Sequence, residues 1–354
     1  MNGVLIIDKP AGMTSHDVVS RARRILRQRS VGHLGTLDPM ATGVLPLVTG
    51  NFTRLAQFYV SSEKVYEGTI RFGFSTDTYD AEGDPTSPVQ NVTLHRDQLE
   101  PVAAKFRGLI TQIPPPFSAK KIKGVPAYKL ARTQKPVMLQ PVQVEIKELE
   151  ILEFEADRAR FRARVASGTY MRSVAHDMGQ LLGCGAHLES LRRTAVAEFT
   201  LADAHTLDEL AVAAGKSQLA NSSSPNIPGS VHNGCREAAE ECSPLPAGRM
   251  NLREAPPEGT AEAATPAKTI SWDAPTLAML AAYFVHPRRL LPNFPSVTAD
   301  DSTAARIRTG RSVNLPELSR ARQVKVFTGQ RDLLAIATRV AGTLFHPKIV
   351  LYGG

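Results

Sequence analysis

The stretch Gly32-His33-Leu34-Gly35-Thr36-Leu37-Asp38-Pro39-Met40-Ala41-Thr42-Gly43-Val44-Leu45-Pro46-Leu47 carries three glycines and two prolines. That density forbids a long helix and marks a loop that hands over to a short apolar strand over residues 44–48. One carboxylate, Asp38, sits inside it, and Pro39 pushes the backbone of Asp38 out of the helical region. The flanking glycines let a ligand approach the backbone closely. An acid displayed on a stiff, glycine-hinged loop suits a nucleophile or a base. The same residues also fit an Asx-turn in which Asp38 only caps the loop. The local pattern leaves both open.

The 354 residues hold 42 Lys and Arg against 34 Asp and Glu, a formal charge of +8. Such a balance points to a polyanionic partner, nucleic acid above all. Cys184, Cys235 and Cys242 are too widely spaced for a disulfide framework or a zinc site. The first apolar run, residues 4–7, ends at Asp8, so no leader peptide is expected. No apolar span reaches membrane length, and a cytoplasmic protein is expected.

Residues 3–7 read as a buried strand. Thr14 and Asp17 have the spacing of a capping box for a helix with Val18, Val19, Ala22, Ile25 and Leu26 on its apolar side. Arg21, Arg23, Arg24, Arg27 and Arg29 follow with no acid among them, which favours phosphate contact over a merely solvated face. Residues 64–74 alternate and put Tyr66, Gly68, Ile70 and Phe72 on one face. On the residues alone, Tyr66 is a core aromatic. Residues 77–84 are acidic and read as a solvent-exposed turn. Residues 113–124 combine prolines, lysines and Phe117, as a surface loop or an RNA-gripping insertion would.

Arg158, Arg160, Arg162 and Arg164 alternate with Ala159, Phe161, Ala163 and Val165. Ion pairs to the Glu-rich run 145–155 are the preferred reading of that charged face. A helix opens after Tyr170 with Val174, Ala175, Met178, Leu181 and Leu182 apolar, and Gly183 ends it. Arg172 stands in its first turn, where the helix dipole disfavours a cation, so an anionic partner is expected. Residues 213–270 contain no Phe, Tyr or Trp and carry a charge of −1. Such a segment cannot offset the entropy of ordering and reads as a disordered linker. Beyond it a helix is expected over 303–309, and strands over 324–327 and 333–338 about a hairpin-like turn.

The run from Gly32 to Gly43 closely resembles the signature loop of the TruB family of tRNA pseudouridine synthases. The likeness extends to residues 3–15, to the surroundings of Tyr66, to Ser118-Ala119-Lys120 and to residues 168–193. The resemblance implies an α+β pseudouridine synthase fold with a mixed, mostly antiparallel sheet and flanking helices. It implies a catalytic domain over 1–212 with an RNA-gripping insertion at 114–141, a linker over 213–271, and a small PUA-like RNA-binding β domain over 272–354. The implied reaction isomerises uridine 55 in the T-loop of tRNA. The glycosidic bond is cut, the uracil rotates, and it is reattached through C5 on a flipped-out nucleotide.

In the resemblance Asp38 falls on the catalytic aspartate and Arg172 on its partner, a pairing that favours an ionised carboxylate. Tyr66 matches the active-site tyrosine, which stacks on the base and serves as general base. Tyr170 and Leu191 match positions that line the uracil pocket, and His33 is expected near the displaced nucleotide, although the residue alone fits a loop-ordering histidine equally well. Lys9, Arg23, Arg24, Lys120, Arg132 and Arg192 are expected to bind RNA. The isomerisation needs no external atom, so no metal or cofactor is expected. The expected partner is the tRNA T-arm, with no membrane and no obligate protein partner, and the chain is expected to be a monomer.

Three other functions compete. A guide-dependent rRNA synthase would share the loop, but the insertion argues for a stand-alone enzyme. A silent tRNA-folding chaperone could lack Asp38, Tyr66 or Arg172, and all are present. An aspartyl phosphotransferase would need an Asp-x-Asp arrangement, which is absent. The composition of the linker yields a test. A protein lacking residues 216–268, with a connector that still spans the gap, should convert free tRNA at a rate close to that of the full chain. A folded but inactive deletion would give the segment a role.

Overall fold

The structure, a computed structural model, describes residues 1–118, 139–215, 272–316 and 321–352, and the backbone alone at 121–122 and 125–126. Lys120 and Arg132, and residues 216–271 of the expected linker, lie outside the described residues. No described helix is long and apolar enough to cross a membrane.

Strand β1 (Gly3–Lys9) is buried on both faces, because Val4, Leu5, Ile6 and Ile7 leave it no polar side. It lies within a ten-stranded sheet with β2 (Val31–His33), β3 (Thr42–Thr49), β4 (Lys64–Phe72), β5 (Gly108–Gln112), β8 (Val142–Glu155), β9 (Arg158–Val165), β10 (Ala186–Val196), β11 (Phe199–Thr200) and β12 (Ala204–His205). The short pair β6 (Lys121–Ile122) and β7 (Val125–Pro126) stands apart. The sheet order is β12-β1-β3-β10-β4-β9-β8-β5, with β2 added to β3 and β11 to β10. The β1–β12 and β3–β10 pairs are parallel and the others antiparallel, so the sheet is mixed and mostly antiparallel.

Register at the centre of the sheet positions the site. Arg193 pairs with Gly43 on one side and with Tyr66 on the other. Gly43 has φ +98°, and a Cβ there would lie 2.2 Å from the carbonyl oxygen of Arg193. Only glycine lets the two strands meet at this point.

Helix α1 (Ser15–Leu26) begins with the expected Thr14–Asp17 capping box and buries Val18, Val19, Ala22, Ile25 and Leu26. Helix α2 (Arg96–Ala104) packs near β8. Helix α3 (Met171–Leu182) ends at Gly183 in the left-handed conformation. Leu181 departs from its expected apolar face and is 54% exposed. The reason is that α3 leans on the sheet through Gly179, where a Cβ would strike the backbone of Ala186. Leu181 stands about 200° around the helix from that contact. The arginine face of β9 meets the Glu-rich run in part: Arg160 meets Glu153 at 2.9 Å and Arg164 meets Glu148 at 3.5 Å, whereas Arg158 pairs with Asp157 and Glu189 outside that run.

The next described helix after α4 (Leu207–Ala213) is α5 (Ala274–Ala281), which sequence reading did not anticipate. The C-terminal part then forms β13 (Ser296–Thr298), α6 (Asp301–Arg308), β14 (Val313–Asn314), β15 (Gln323–Thr328), β16 (Asp332–Ala341) and β17 (Leu344–Val350). Its sheet runs β13-β15-β16-β17-β14. This module does not dangle from the rest. Phe327, Leu333, Ile336 and Ile349 share one core with Val4, Val48, Phe52, Tyr59 and Phe199. Leu291 N donates to Glu198 at 2.9 Å, and Arg54 donates to the carbonyl of Val350 at 2.7 Å.

A shared core should unfold as one. Phe327→Ala should cost about 3–5 kcal/mol, the usual loss for a fully buried phenylalanine, and lower the stability of the β1–β3 region with it. Urea unfolding followed separately in the two parts checks this. A Phe327→Ala transition confined to the C-terminal module would show that the parts are independent.

Candidate active site

Two elements far apart in sequence meet here: the loop after β2 and the first turn of α3. Oδ2 of Asp38 lies 2.9 Å from Nε of Arg172, and Nη2 of Arg172 donates to Oδ1 at 3.1 Å. The same guanidinium donates to the carbonyls of Thr78 and Phe117, each at 3.0 Å, and Nη1 stands 3.5 Å from Oδ2 of Asp80. Arg172 is 5% exposed in its side chain, and Asp38 is 35% exposed. The cation is therefore buried and held on several sides, while the carboxylate keeps an open face.

Asp80 corrects the reading of residues 77–84 as a solvent-exposed turn. Asp80 and Thr76 are both buried. Thr76 Oγ1 donates to the backbone carbonyl of Asp80 at 2.7 Å, and Thr78 Oγ1 donates to its carboxylate at 2.6 Å. An acidic loop is normally solvated, but a buried guanidinium recruits counter-charge and carbonyls from whatever segment can reach it. Tyr79, at φ +65°, stacks on His176 of α3 with ring centroids 3.8 Å apart, which ties this loop to the helix that carries Arg172.

The Asp38 loop is fixed from behind. Nζ of Lys9 donates to the carbonyls of Pro10, Pro39 and Ala41 at 2.8, 3.0 and 2.7 Å. Arg193, 1% exposed, donates to the carbonyls of Val44, Thr36 and Gly35 at 2.8, 3.3 and 3.1 Å. Ser15 Oγ receives the N–H of Leu37 at 2.8 Å and bonds its carbonyl at 3.1 Å. The assignment of Lys9 to RNA binding is thereby corrected. Its ammonium is fully buried and engaged by three loop carbonyls, so it presents nothing to a phosphate.

Asp38, Tyr66, Tyr170, Arg172 and Leu191 line one cleft of about 230 Å³, together with Lys64 and Arg193. Tyr66 and Leu191 are largely buried walls. Tyr170 is held by Gln112, whose amide donates to its carbonyl at 3.0 Å and accepts from its N–H at 2.9 Å. His33 is not among the cleft walls; its Nδ1 accepts from the N–H of Gly35 at 3.3 Å and so orders the loop. Arg192 pairs with Asp8 at 2.7 Å on the neighbouring surface. Arg23 donates to the carbonyl of Val31 at 2.8 Å, and Arg24 is exposed. Among the described residues no group of three or more His, Cys, Asp or Glu could hold a metal ion.

Burial governs the protonation of the site. It lowers Lys9 to about 8, against a smaller opposing pull from Asp38. Burial, then the nearby Arg193, lowers Lys64 to about 8. His33 is lowered by burial and then by Arg193, which suits the neutral acceptor form seen against Gly35. Burial raises the Tyr170 hydroxyl. Sequence reading missed Lys9 as a clamp, and also Ser15, Arg193, Asp80, Gln112 and Lys64. A period-two reading would have found two of them: Arg193 follows Leu191 on one face of β10, and Lys64 precedes Tyr66 on one face of β4.

The Lys9 geometry makes a prediction that separates a clamp from a phosphate ligand. Lys9→Met should cost roughly 1–3 kcal/mol of stability through its orphaned carbonyls, while RNA affinity changes little. Thermal melting and salt-dependent RNA binding check it. A log–log salt slope reduced by about one would return Lys9 to phosphate contact.

Comparison with known proteins identifies the family. The model of the TruB family pseudouridylate synthase N-terminal domain matches residues 23–171, and that of the tRNA pseudouridylate synthase B C-terminal domain matches residues 172–223. The chain is 44% identical to tRNA pseudouridine synthase B of Solibacter usitatus over 354 residues, 99% of this chain and 100% of the relative. It is 46% identical to the protein of that name from Opitutus terrae over 210 residues, 59% of this chain and 87% of the relative. Among solved structures it resembles a Cbf5-Nop10-Gar1 complex chain with a TM-score of 0.62 at 22% identity, covering 99% of this chain and 85% of that one. An archaeal box H/ACA sRNP Nop10-Cbf5 complex gives a TM-score of 0.61 at 21% identity, covering 99% and 86%. At that identity the likeness concerns the fold alone. The family matches and the full-length relative establish that this chain belongs to the TruB family of pseudouridylate synthases.

Proposed function

We propose that this chain converts uridine 55 in the T-loop of tRNA to pseudouridine. The coarser activity, isomerisation of uridine to pseudouridine in tRNA, is that of its family. The observation that carries the reading is Asp38, paired with a buried Arg172 yet open on one side to a cleft walled by Tyr66, Tyr170 and Leu191.

The chemistry follows from those groups. A uridine inside a folded T-loop is out of reach, so the nucleotide must be extruded into the cleft. The aromatic and aliphatic walls offer the uracil faces to stack on, replacing those it leaves. Asp38 then drives cleavage of the N-glycosidic bond while Arg172 keeps the carboxylate oriented. Tyr66 acts as the general base that takes the C5 proton once the rotated base has been rejoined through C5. No atom enters or leaves overall, so the reaction asks for no metal or cofactor. His33 would act through the loop that it orders.

In this reading residues 1–212 are the catalytic domain, 213–271 a linker, and 272–354 a PUA-like RNA-binding module. The insertion at 114–141, with Lys120 and Arg132, grips RNA, and Arg23, Arg24 and Arg192 contact phosphates outside the cleft. The enzyme works in the cytoplasm as a monomer, without an obligate protein partner.

Asp38→Asn keeps size but removes the reactive carboxylate. Turnover should vanish while tRNA affinity stays within a few fold, because phosphate contacts dominate affinity. Asp80 remains beside Arg172 as counter-charge, so the variant should fold. Tyr66→Phe keeps the ring and loses the hydroxyl; its single-turnover rate should fall by roughly 10²–10⁴. Single-turnover assays on a T-arm stem-loop, with binding measured separately, check both. Pseudouridine formed at a useful rate by Asp38→Asn would defeat the assignment, and a wild-type rate in Tyr66→Phe would return Tyr66 to the core.

A further inference from the structure

The cleft contains three cations, and two of them are already engaged. The donors of Arg172 face Asp38, Asp80, Thr78 and Phe117, and those of Arg193 face the carbonyls of Gly35, Thr36 and Val44. Lys64 differs. Its Nζ makes one hydrogen bond among the described residues, to the carbonyl of Ser62 at 2.5 Å. An ammonium has three N–H groups, so two remain for a ligand.

Its placement is equally specific. Lys64 sits two residues before Tyr66 on the same face of β4, and both side chains line the cleft. Lys64 is 8% exposed, too buried for the phosphate backbone of an RNA lying on the surface. Its aliphatic chain packs toward Gly35 of the Asp38 loop, 3.9 Å from where a Cβ of that glycine would stand. A group at this depth meets the base of the extruded nucleotide.

The geometry points to Lys64 as a catalytic residue that donates a hydrogen bond to a carbonyl oxygen of the departing uracil. This rests on the reading of the cleft as a pseudouridine synthase site. When the N1–C1′ bond breaks, its electron pair leaves with the base, and the charge spreads onto the uracil oxygens. An ammionium-type donor already in place stabilises that charge more than it stabilises the neutral, bound uridine. No proton is transferred to Lys64 or from it. The C5–C1′ bond then forms, the C5 proton is lost, and N1 regains a proton, so the sum remains an isomerisation. The charged or titratable groups that share the cleft with Lys64 are Asp38, Tyr66, Tyr170, Arg172 and Arg193, and of these Arg193 acts on its charge. Burial together with Arg193 brings its own titration to about 8, so the required charge is lost on moderate alkalinisation.

The test compares wild type, Lys64→Met, Lys64→Gln and Lys64→Arg in single turnover on a T-arm stem-loop, with binding measured apart. A wild-type protein that makes no pseudouridine refutes the assigned function itself, before Lys64 enters. With wild type active, Lys64→Met and Lys64→Gln should lose about 10²–10³ in rate, the worth of one preorganised donor, with RNA affinity within a few fold. Lys64→Arg should recover part of the rate and move the alkaline limb of the rate–pH profile upward, because guanidinium stays charged. A stem-loop carrying 5-fluorouridine at the target, whose base is a better leaving anion, should narrow the gap between Lys64→Met and wild type when the loss of 5-fluorouridine is followed, since without a C5 proton it cannot go on to pseudouridine. A merely structural role would move neither the alkaline limb nor that gap. A wild-type rate in Lys64→Gln overturns the proposal, and so does a defect confined to affinity with a salt slope lowered by about one, which would assign Lys64 to phosphate. An equal defect on uridine and 5-fluorouridine with an unmoved alkaline limb also overturns it.

Discussion

A guanidinium that is 5% exposed must have its charge answered within the protein, and Arg172 dictates much of the surrounding structure for that reason. It binds Asp38 from one loop, Asp80 and the Thr78 carbonyl from a second, and the Phe117 carbonyl from a third. Three segments with no regular structure of their own at these positions are thereby fixed against α3. Two carboxylates share this one cation, which is why Asp38 can be partly open to solvent without leaving Arg172 unanswered.

The second constraint is rigidity behind the loop. Carbonyls turned inward by a Gly- and Pro-rich segment need donors, and Lys9, Ser15 and Arg193 supply them from β1, α1 and β10. Burying the Lys9 ammonium is costly, and its titration is brought down to about 8 as a result. A carboxylate that acts on a bound nucleotide, the role proposed for Asp38, requires preorganisation of this kind. The C-terminal module reinforces the same scaffold by completing the core beneath β1 and β3.

Much of this was legible in the sequence where a local rule governed the outcome. The Thr14–Asp17 box, the alternation along β4 and β9, the Gly183 stop and the loop around Asp38 are short-range effects of capping, pleat and backbone freedom. The unexpected cation in the first turn of α3 correctly implied an anion for Arg172, although only the resemblance said which. What stayed hidden depends on long-range pairing. Lys9 ends an apolar strand as a surface residue would, and only the folded loop supplies its carbonyls. Asp80 lies in a stretch whose composition signals solvent, and it is buried because Arg172 draws it in. Leu181 satisfies helical periodicity but falls opposite the Gly179 contact on which α3 rests.

The central claim is that this cleft performs a substrate-contained isomerisation on one extruded uridine of tRNA. Mapping pseudouridine along an unmodified tRNA transcript after incubation with the full chain tests it most directly, since the product differs from the substrate in connectivity and not in mass. The account predicts one new pseudouridine, at position 55 in the T-loop, formed without any added cofactor. A transcript left without pseudouridine, or modified only outside the T-loop, would contradict it.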